Sequence, residues 1–218
     1  MAMDSDAYND AIATEETFPL SGFDDPKIAE RLRLLHDFPN SSPTSKVLKS
    51  VIVRAPGRVN LLGEHVDYSG FGVLPMALAQ YDVSIRIREV EDEGDEWVRI
   101  SNVDPSFEQR SYNSGDPRDL SIDLDNHHWS HYFLAGFLGA FDAMKGKSAF
   151  PSAFKKLDVL ISGNVPSGAG LSSSAALVVS SVLSVCAIYG LRITRKELAM
   201  AAIEGGASAR LRLLGSTC

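Results

Sequence analysis

Residues 157–189 place a short apolar strand, a glycine-rich turn and a long apolar helix in direct succession. Gly168 and Gly170 lack a Cβ, so the backbone there can adopt unusual dihedral angles and a ligand can approach closely. The free amides of the helix's first turn and the positive end of its dipole form an anion site. The hydroxyls of residues 172–174 can donate to phosphate oxygens or bind Mg²⁺, a hard cation that prefers oxygen. The residues alone leave open the alternative of a Ser-capped helix after an ordinary turn.

Three other glycine motifs are excluded by spacing. No Lys follows the glycines, so the turn is not a Walker-type phosphate loop. Ser173 occupies the place of the third glycine in the dinucleotide fingerprint. Val165 occupies the place of the first glycine in a Gly-x-Ser-x-Gly nucleophile elbow around Ser167.

A second polar segment lies about a hundred residues earlier, around Gly57 and Gly63. A carboxylate can accept from adjacent hydroxyls, an imidazole can donate or accept, and a guanidinium only donates, so this set suits a neutral polyhydroxyl ligand. A surface turn with an ion pair is the alternative, and the residues alone do not decide between them. The polar side chains are Arg58, Glu64, His65 and Asp67.

Bulk properties restrict the compartment and the partners. The net charge of −7 argues against non-specific binding to nucleic acid or anionic membranes. Two cysteines, Cys186 and Cys218, give no disulfide framework, which fits a reducing compartment. Residues 1–18 show no secretory signal, and no apolar run is long enough to cross a bilayer. We expect a cytoplasmic monomer with no nucleic-acid or membrane partner.

The apolar periodicity predicts mixed helices and strands, and hence an α+β layered domain. Pro56 and Gly57 are expected to break the first strand, residues 39–45 to form a linker, and the acidic turn at 91–96 to be solvated. Thr194 and Glu197 form a capping box. The predicted helices are 26–38 (capped by Asp24 or Asp25), 128–144, 171–189 and 194–204. The predicted strands are 47–53, 83–87, 157–161, and 97–103 as the return strand of a hairpin with 83–87.

Two motifs resemble a known kinase family. Residues 54–68, RAPGRVNLLGEHVDY, closely resemble the galactokinase signature. Residues 166–176, PSGAGLSSSAA, resemble the second motif of the GHMP small-molecule kinases, and the strand that begins Leu74-Pro75-Met76-Ala77 is also similar to galactokinases. Residues 126–133 are similar to a helix start shared by plant galactokinases and N-acetylgalactosamine kinases. The resemblance covers about residues 45–204.

The resemblance implies a fold and an activity. The fold would be the GHMP kinase amino-terminal domain (ribosomal protein S5 domain 2-like), a mostly antiparallel sheet backed by helices. The activity would be ATP-dependent phosphorylation of galactose at its anomeric hydroxyl, giving galactose 1-phosphate. The alternatives are an N-acetylgalactosamine kinase and a catalytically silent galactose- and ATP-binding sensor.

Carried over by position, the resemblance also assigns residues to ligands. Arg58, with Glu64, His65 and Asp67, would contact the sugar, and Arg58 would stabilise the transition state. Mg²⁺ would be held by Ser174 and Glu204. The ATP phosphates would be held by Gly168, Gly170, Leu171, Ser172, Ser173 and Ser174. A zinc site at His127, His128 and His131 is disfavoured, because no further Cys or His lies at ligand spacing.

The pattern changes after Glu204, since residues 205–218 carry no carboxylate side chain. In the family, an Asp in a Gly-Gly-Met-Asp-Gln-like stretch beyond the magnesium Glu is the proposed base for the sugar hydroxyl, and a third glycine-rich motif and a second domain follow. We therefore expect a truncated chain without the carboxy-terminal GHMP domain, and weak or no transfer, because a missing general base costs roughly 10²–10⁴-fold. The expected divisions are a polar lead-in and short helix at 1–45, the kinase amino-terminal domain at 46–204 and an aberrant tail at 205–218.

Overall fold

The computed structural model describes residues 11–12, 25–39, 45–63, 66, 69–113, 120, 122–123, 126, 128–145 and 154–208. Most of the predicted lead-in, the linker at 40–44 and the tail from 209 lie outside these residues. The elements in chain order are β1 (Ala11–Ile12), α1 (Pro26–Asp37), β2 (Lys46–Leu62), β3 (Leu74–Glu91), β4 (Val98–Asn102), β5 (Arg110–Tyr112), α2 (His131–Met144), β6 (Leu157–Gly163), α3 (Ser173–Tyr189), β7 (Ile193–Thr194) and α4 (Arg195–Ser208).

A five-stranded sheet in the order β2-β3-β6-β4-β5 forms the centre of the fold, and the short strands β1 and β7 pair separately. All pairs in the larger sheet are antiparallel except β4 with β6, so the predicted mostly antiparallel sheet is confirmed. The prediction that 97–103 pairs back onto 83–87 is wrong. The strand β6, buried along nearly its whole length, lies between β3 and β4 because its apolar residues suit a central position.

The two faces of the sheet are covered by different helices. Val83, Ile85 and Ile87 of β3 point into the main core, which they share with residues of α2 and α3 such as Phe137 and Val182. The alternate residues of β3 face the other side, where Ile28, Leu32 and Leu35 of α1 pack on Leu160. The predicted alternation along β3 is therefore confirmed.

The polar residues on the α1 face of β3 are buried under that helix. Arg86 is only 2% exposed, and its Nη1 donates to the carbonyl of His36 at 2.8 Å. Burial and the neighbouring Arg88 lower the pKa of Arg86 to about 10. Arg88 donates from Nη2 to Asp158 at 2.6 Å. The contact between α1 and the sheet thus combines a small apolar cluster with a hydrogen bond from a buried arginine.

Helix boundaries follow the predicted caps. The Asp25 side chain accepts from the Lys27 amide at 2.9 Å and begins α1, as predicted. Thr194 and Glu197 form the predicted reciprocal capping box, with the Thr194 amide 2.9 Å from Glu197 Oε2 and the Glu197 amide 3.2 Å from Thr194 Oγ1. The helix α4 runs to Ser208, four residues beyond the prediction. No helix in the described part of the chain is long and apolar enough to span a membrane.

The strand β2 continues past Pro56 and Gly57, so the predicted break is wrong. Its pairing with β3 shifts register there: Pro56 pairs with Asp82, but Arg58 pairs with Ala77. A bulge in the partner strand accommodates the local breakers, and the hairpin then continues to Leu62 and Leu74.

The acidic turn after β3 is not simply solvated, contrary to the prediction. The side chain of Asp92 is 3% exposed and forms an ion pair with Arg99 and another with Lys156, the latter at 3.2 Å. The hydroxyl of Ser45 donates to the same carboxylate at 3.2 Å. Neighbouring Glu93 and Asp95 are exposed, as expected. The run of acidic residues correctly predicts a turn, but it does not predict that the carboxylate of Asp92 is buried.

The helices α2, α3 and α4 approach one another through glycines. A Cβ added at Gly139 of α2 would lie 2.2 Å from the carbonyl oxygen of Ala201 in α4. One added at Gly136 would lie 2.5 Å from Ser181 Cβ in α3, and one at Gly205 in α4 would lie 2.3 Å from the Ala135 oxygen. Real Cβ atoms cannot occupy such positions, so this helix layer requires glycine there.

We predict that Gly139→Ala lowers the free energy of unfolding by about 2–3 kcal/mol, because overpacking outweighs the better helix propensity of alanine. Chemical denaturation measures the change. The matched control is Gly72→Ala, where an added Cβ meets nothing within 4 Å. A Gly139→Ala protein as stable as the unmodified chain would contradict the described packing of α2 on α4.

Candidate functional site

The two polar motifs meet at one backbone contact. The amide of Arg58, in the first motif, donates to the carbonyl of Leu171, in the second, at 3.1 Å. Gly57 lies against the same carbonyl: an added Cβ would be 3.0 Å from the Leu171 oxygen and 3.3 Å from both methyl carbons of Val165. The hairpin β2–β3 and the glycine-rich turn therefore form a single site.

Every second residue of the glycine-rich turn, from 168 to 172, has a left-handed backbone conformation. Gly168 has φ 72°, Gly170 has φ 70° and Ser172 has φ 60°. Ser172 is the one non-glycine residue with positive φ in the described part of the chain. A left-handed serine is uncommon and costs free energy, roughly 1–2 kcal/mol. Successive amides in such alternating turns make concave anion-binding surfaces.

The helix α3 begins without the side-chain cap that an ordinary turn would supply. Ser172 is its N-cap residue, but its hydroxyl makes no capping hydrogen bond, while its carbonyl accepts from the Ala176 amide at 3.0 Å. Ser173 and Ser174 follow in the first turn and are half-buried. This geometry argues against the Ser-capped helix and leaves the first-turn amides of a 17-residue helix available to an anion.

The sugar-binding prediction is only partly within the described residues. Arg58 lies on β2 and is half-buried, next to the glycine-rich turn. Glu64, His65 and Asp67 lie outside the described residues, so their roles stay predictions. The base of their loop is narrow, because a Cβ on Gly63 (φ 88°) would lie 2.9 Å from the Gly72 oxygen. This approach places the loop's two ends together at the end of the hairpin.

The predicted magnesium residues come from two helices that pack together. Ser174 lies in the first turn of α3, and Glu204 is exposed on α4. The described residues contain no group of three His, Cys, Asp or Glu side chains that could hold a metal. A hydroxyl and a single carboxylate fit Mg²⁺, which usually binds through one or two carboxylates together with substrate phosphates and water.

One of the three histidines at which a zinc site is disfavoured, His128, lies in a hydrogen-bond network. His128 accepts from Arg110 Nε at 3.1 Å, and its Nδ1 lies 2.8 Å from the hydroxyl of Ser130. That hydroxyl is 2.5 Å from the phenol oxygen of Tyr112, so the histidine belongs to a hydrogen-bond network at the start of α2. His127 lies outside the described residues.

A buried ionic group behind the site was missed by sequence reasoning. The carboxylate of Asp82 is fully buried and binds Arg31 and Arg54, which lie 51 and 28 residues away in sequence. The same residue's backbone bonds Asn164. No local pattern signals contacts over such separations. The one available signal was an acidic residue directly before the apolar alternation of β3.

Two family models match the chain, one on each side of the hydrogen bond between Arg58 and Leu171. The galactokinase galactose-binding signature matches residues 44–84, and the GHMP kinases N terminal domain matches residues 135–211. Together they cover more than half of the 218 residues. The first includes Gly57 and Arg58, and the second includes the glycine-rich turn.

Curated relatives of the chain are galactokinases. The galactokinase of Dictyostelium discoideum is 41% identical over 154 residues, which are 69% of this chain and 29% of the relative. That of Schizosaccharomyces pombe is 37% identical over 66% of this chain and 28% of the relative. That of Candida maltosa is 36% identical over 66% of this chain and 64% of the relative. The chain thus spans less than a third of the first two relatives.

Solved structures show the same fold. The galactokinase of Lactococcus lactis, complexed with galactose, superposes with a TM-score of 0.62 and 24% identity over 86% of this chain and 43% of that one. The mevalonate kinase of Methanococcus jannaschii gives a TM-score of 0.60 and 22% identity, over 73% and 46% respectively. The predicted GHMP amino-terminal fold is confirmed.

We predict that Gly57→Ala separates the two motifs, because its Cβ would press on the Leu171 carbonyl. The exchange rate of the Arg58 amide, measured by NMR, should rise about tenfold or more, since that amide loses its acceptor. The variant Gly72→Ala, at the other end of the hairpin, should leave the rate unchanged. Equal protection of the Arg58 amide in both variants would refute the contact.

Proposed function

We propose, from the premise that this chain belongs to the galactokinase family of GHMP kinases, that it binds galactose and the phosphates of ATP for transfer of the γ-phosphoryl group to the anomeric hydroxyl. The observation that carries the proposal is the hydrogen bond from Arg58 to Leu171, since it joins the galactose-signature hairpin to the glycine-rich turn. Donor and acceptor substrates bound on either side of this bond would be neighbours.

The sugar side of the proposed site uses the polar set of the signature. Galactose is a neutral polyhydroxyl molecule, so carboxylates at Glu64 and Asp67 would accept its hydroxyl protons and His65 would donate or accept. The guanidinium of Arg58 can only donate hydrogen bonds. Its position beside the phosphate turn supports a role in stabilising negative charge as the phosphoryl group moves.

The phosphate side uses backbone geometry more than side-chain charge. The amides from Gly168 to Ser174 and the positive end of α3 would hold the ATP phosphates. Left-handed φ values at Gly168, Gly170 and Ser172 support this role, because they curve the backbone as anion-binding turns do. The hydroxyl of Ser174 and the carboxylate of Glu204 would hold Mg²⁺, which neutralises phosphate charge when bound.

Phosphoryl transfer depends mainly on positioning and electrostatic stabilisation. A rigid frame that fixes the acceptor hydroxyl in line with the γ-phosphate therefore supplies much of what such a reaction needs. The sheet supports this proposal, because the hairpin and the turn before α3 both continue from its strands β2, β3 and β6. We also propose that the protein is cytoplasmic and monomeric, with no nucleic-acid or membrane partner, in keeping with its net charge of −7.

We predict that Arg58→Ala weakens galactose binding by about tenfold or more, because a charge-assisted hydrogen bond to the ligand contributes roughly 1.5–3 kcal/mol. Isothermal titration of the 218-residue chain with galactose, and separately with a non-hydrolysable ATP analogue and Mg²⁺, measures both affinities. Analogue binding without sugar should change much less than galactose binding, since the backbone amides remain.

The matched control is Arg33→Ala, which removes an exposed arginine from α1. It should leave both affinities unchanged. Titration with N-acetylgalactosamine in place of galactose compares the two sugars on the same chain. A chain that binds neither sugar nor analogue would refute the proposed function.

A further inference from the structure

The carboxylate of Asp82 lies between the two motifs and belongs to neither. Its side chain is 0% exposed. The atom Oδ2 accepts from Arg31 Nη2 at 2.5 Å and from Arg54 Nε at 2.7 Å, while Oδ1 accepts from the Ser84 hydroxyl at 3.1 Å. Arg54 is the first residue of the motif at residues 54–68. One buried anion therefore connects α1, β2 and β3.

The backbone of the same residue holds the start of the second motif. The amide of Asp82 donates to Asn164 Oδ1 at 2.8 Å, and its carbonyl accepts from the Asn164 amide at 3.1 Å. Asn164 directly follows β6 and precedes the glycine-rich turn. Asp82 thus contacts Arg54 of the first motif through its side chain, and Asn164, two residues before the second motif, through its backbone.

These contacts surround the bulge in β3. Between the pairs Pro56–Asp82 and Arg58–Ala77, residues 78–81 of β3 face the single residue Gly57 of β2. Side chains replace the missing ladder partners there: Arg54 Nη2 donates to the Ala79 carbonyl at 2.7 Å, and Asn164 Nδ2 donates to the Gln80 carbonyl at 2.8 Å. Directly beyond the bulge, the Arg58 amide reaches Leu171.

We infer that Asp82 is a positioning residue for the proposed galactose and ATP site. Its charge fixes the Arg54 guanidinium in the orientation that also holds the Ala79 carbonyl, and the resulting bulge aims Arg58 at the glycine-rich turn. A planar guanidinium holds two acceptors in one fixed fork geometry, whereas an ammonium is a compact charge on a flexible stem without that fixed geometry. The inference rests on the proposed function for its consequences in binding, but its geometry is independent of any ligand.

Arg31 makes α1 part of the same network, although that helix precedes the galactose signature. Its side chain is 15% exposed and carries the second positive charge on Asp82. Removing Arg31 leaves the Arg54 pair in place, so its effect on the site should be weaker than that of Asp82. This order of effects distinguishes a network centred on Asp82 from general loosening of α1.

The test is Asp82→Asn, which keeps the size and backbone of residue 82 but removes the charge shared by the two arginines. In this variant both galactose and the ATP analogue should bind about five- to tenfold more weakly, at a temperature where the protein is folded. The exchange rate of the Arg58 amide should rise relative to that of core amides in β6. A role limited to stability would change neither the affinities of the folded protein nor this ratio of exchange rates.

The control for lost stability is Leu35→Ala, which removes a fully buried side chain of α1 without touching the network. It should lower the unfolding temperature yet leave both affinities unchanged. If Asp82→Asn does not fold, Arg54→Lys and Arg31→Gln replace it. Arg54→Lys keeps the positive charge but loses the fixed fork that joins Asp82 to Ala79, so it should weaken the binding of both ligands more than Arg31→Gln does.

Unchanged affinities and unchanged Arg58 exchange in the folded variants would overturn the inference, as would an equal loss of affinity in Leu35→Ala. The two proposals can fail separately. If the unmodified chain binds neither ligand, the proposed function is wrong, and Arg58 exchange then decides the positioning role alone. If the unmodified chain binds both ligands and the Asp82 variants match it, only the positioning role is wrong.

Discussion

A single buried carboxylate with two guanidinium partners determines where the functional loops of this chain lie. Asp82 has no solvent contact, so the cost of removing its charge from water must be offset by Arg31, Arg54 and the Ser84 hydroxyl. Removing one partner from such a buried group typically costs about 3–5 kcal/mol. The group lies at the point where β3 resumes its ladder with β2 after the bulge and begins to pair with β6. The path of the hairpin toward the glycine-rich turn depends on it.

The glycine-rich turn is held in a strained backbone conformation at one residue. Ser172 occupies a left-handed conformation that glycine would adopt at less cost, and its hydroxyl does not cap α3. Backbone strain at one residue is tolerated where neighbouring structure determines the conformation. Here the hydrogen bond between Leu171 and Arg58 and the first turn of α3 supply that determination. The strain supports a phosphate-binding role for the turn, since an ordinary helix start would not need it.

Local chemistry made much of the fold predictable. The Asp25 cap, the Thr194–Glu197 box and the alternation along β3 depend on residues within a few positions of one another, and all three were confirmed. Long-range contacts were not predictable in this way. Pro56 and Gly57 do favour a break, but a bulge in the partner strand let β2 continue. The pairing of β4 with β6 and the burial of Asp92 depend on Leu157–Gly163 and Lys156, more than fifty residues away in sequence.

In the candidate site too, local features could be predicted from the sequence and long-range contacts could not. The glycine-rich turn and Arg58 were identified from composition and motif, but their contact and the Asp82 network behind it required the fold. The two motifs form one site across the Arg58–Leu171 hydrogen bond. A crystal structure of this chain with galactose and a non-hydrolysable ATP analogue tests it most directly. We expect the sugar against Arg58, the phosphates on the amides of residues 168–174, and that hydrogen bond intact. Phosphates bound away from the start of α3, or a sugar bound away from Arg58, would contradict it.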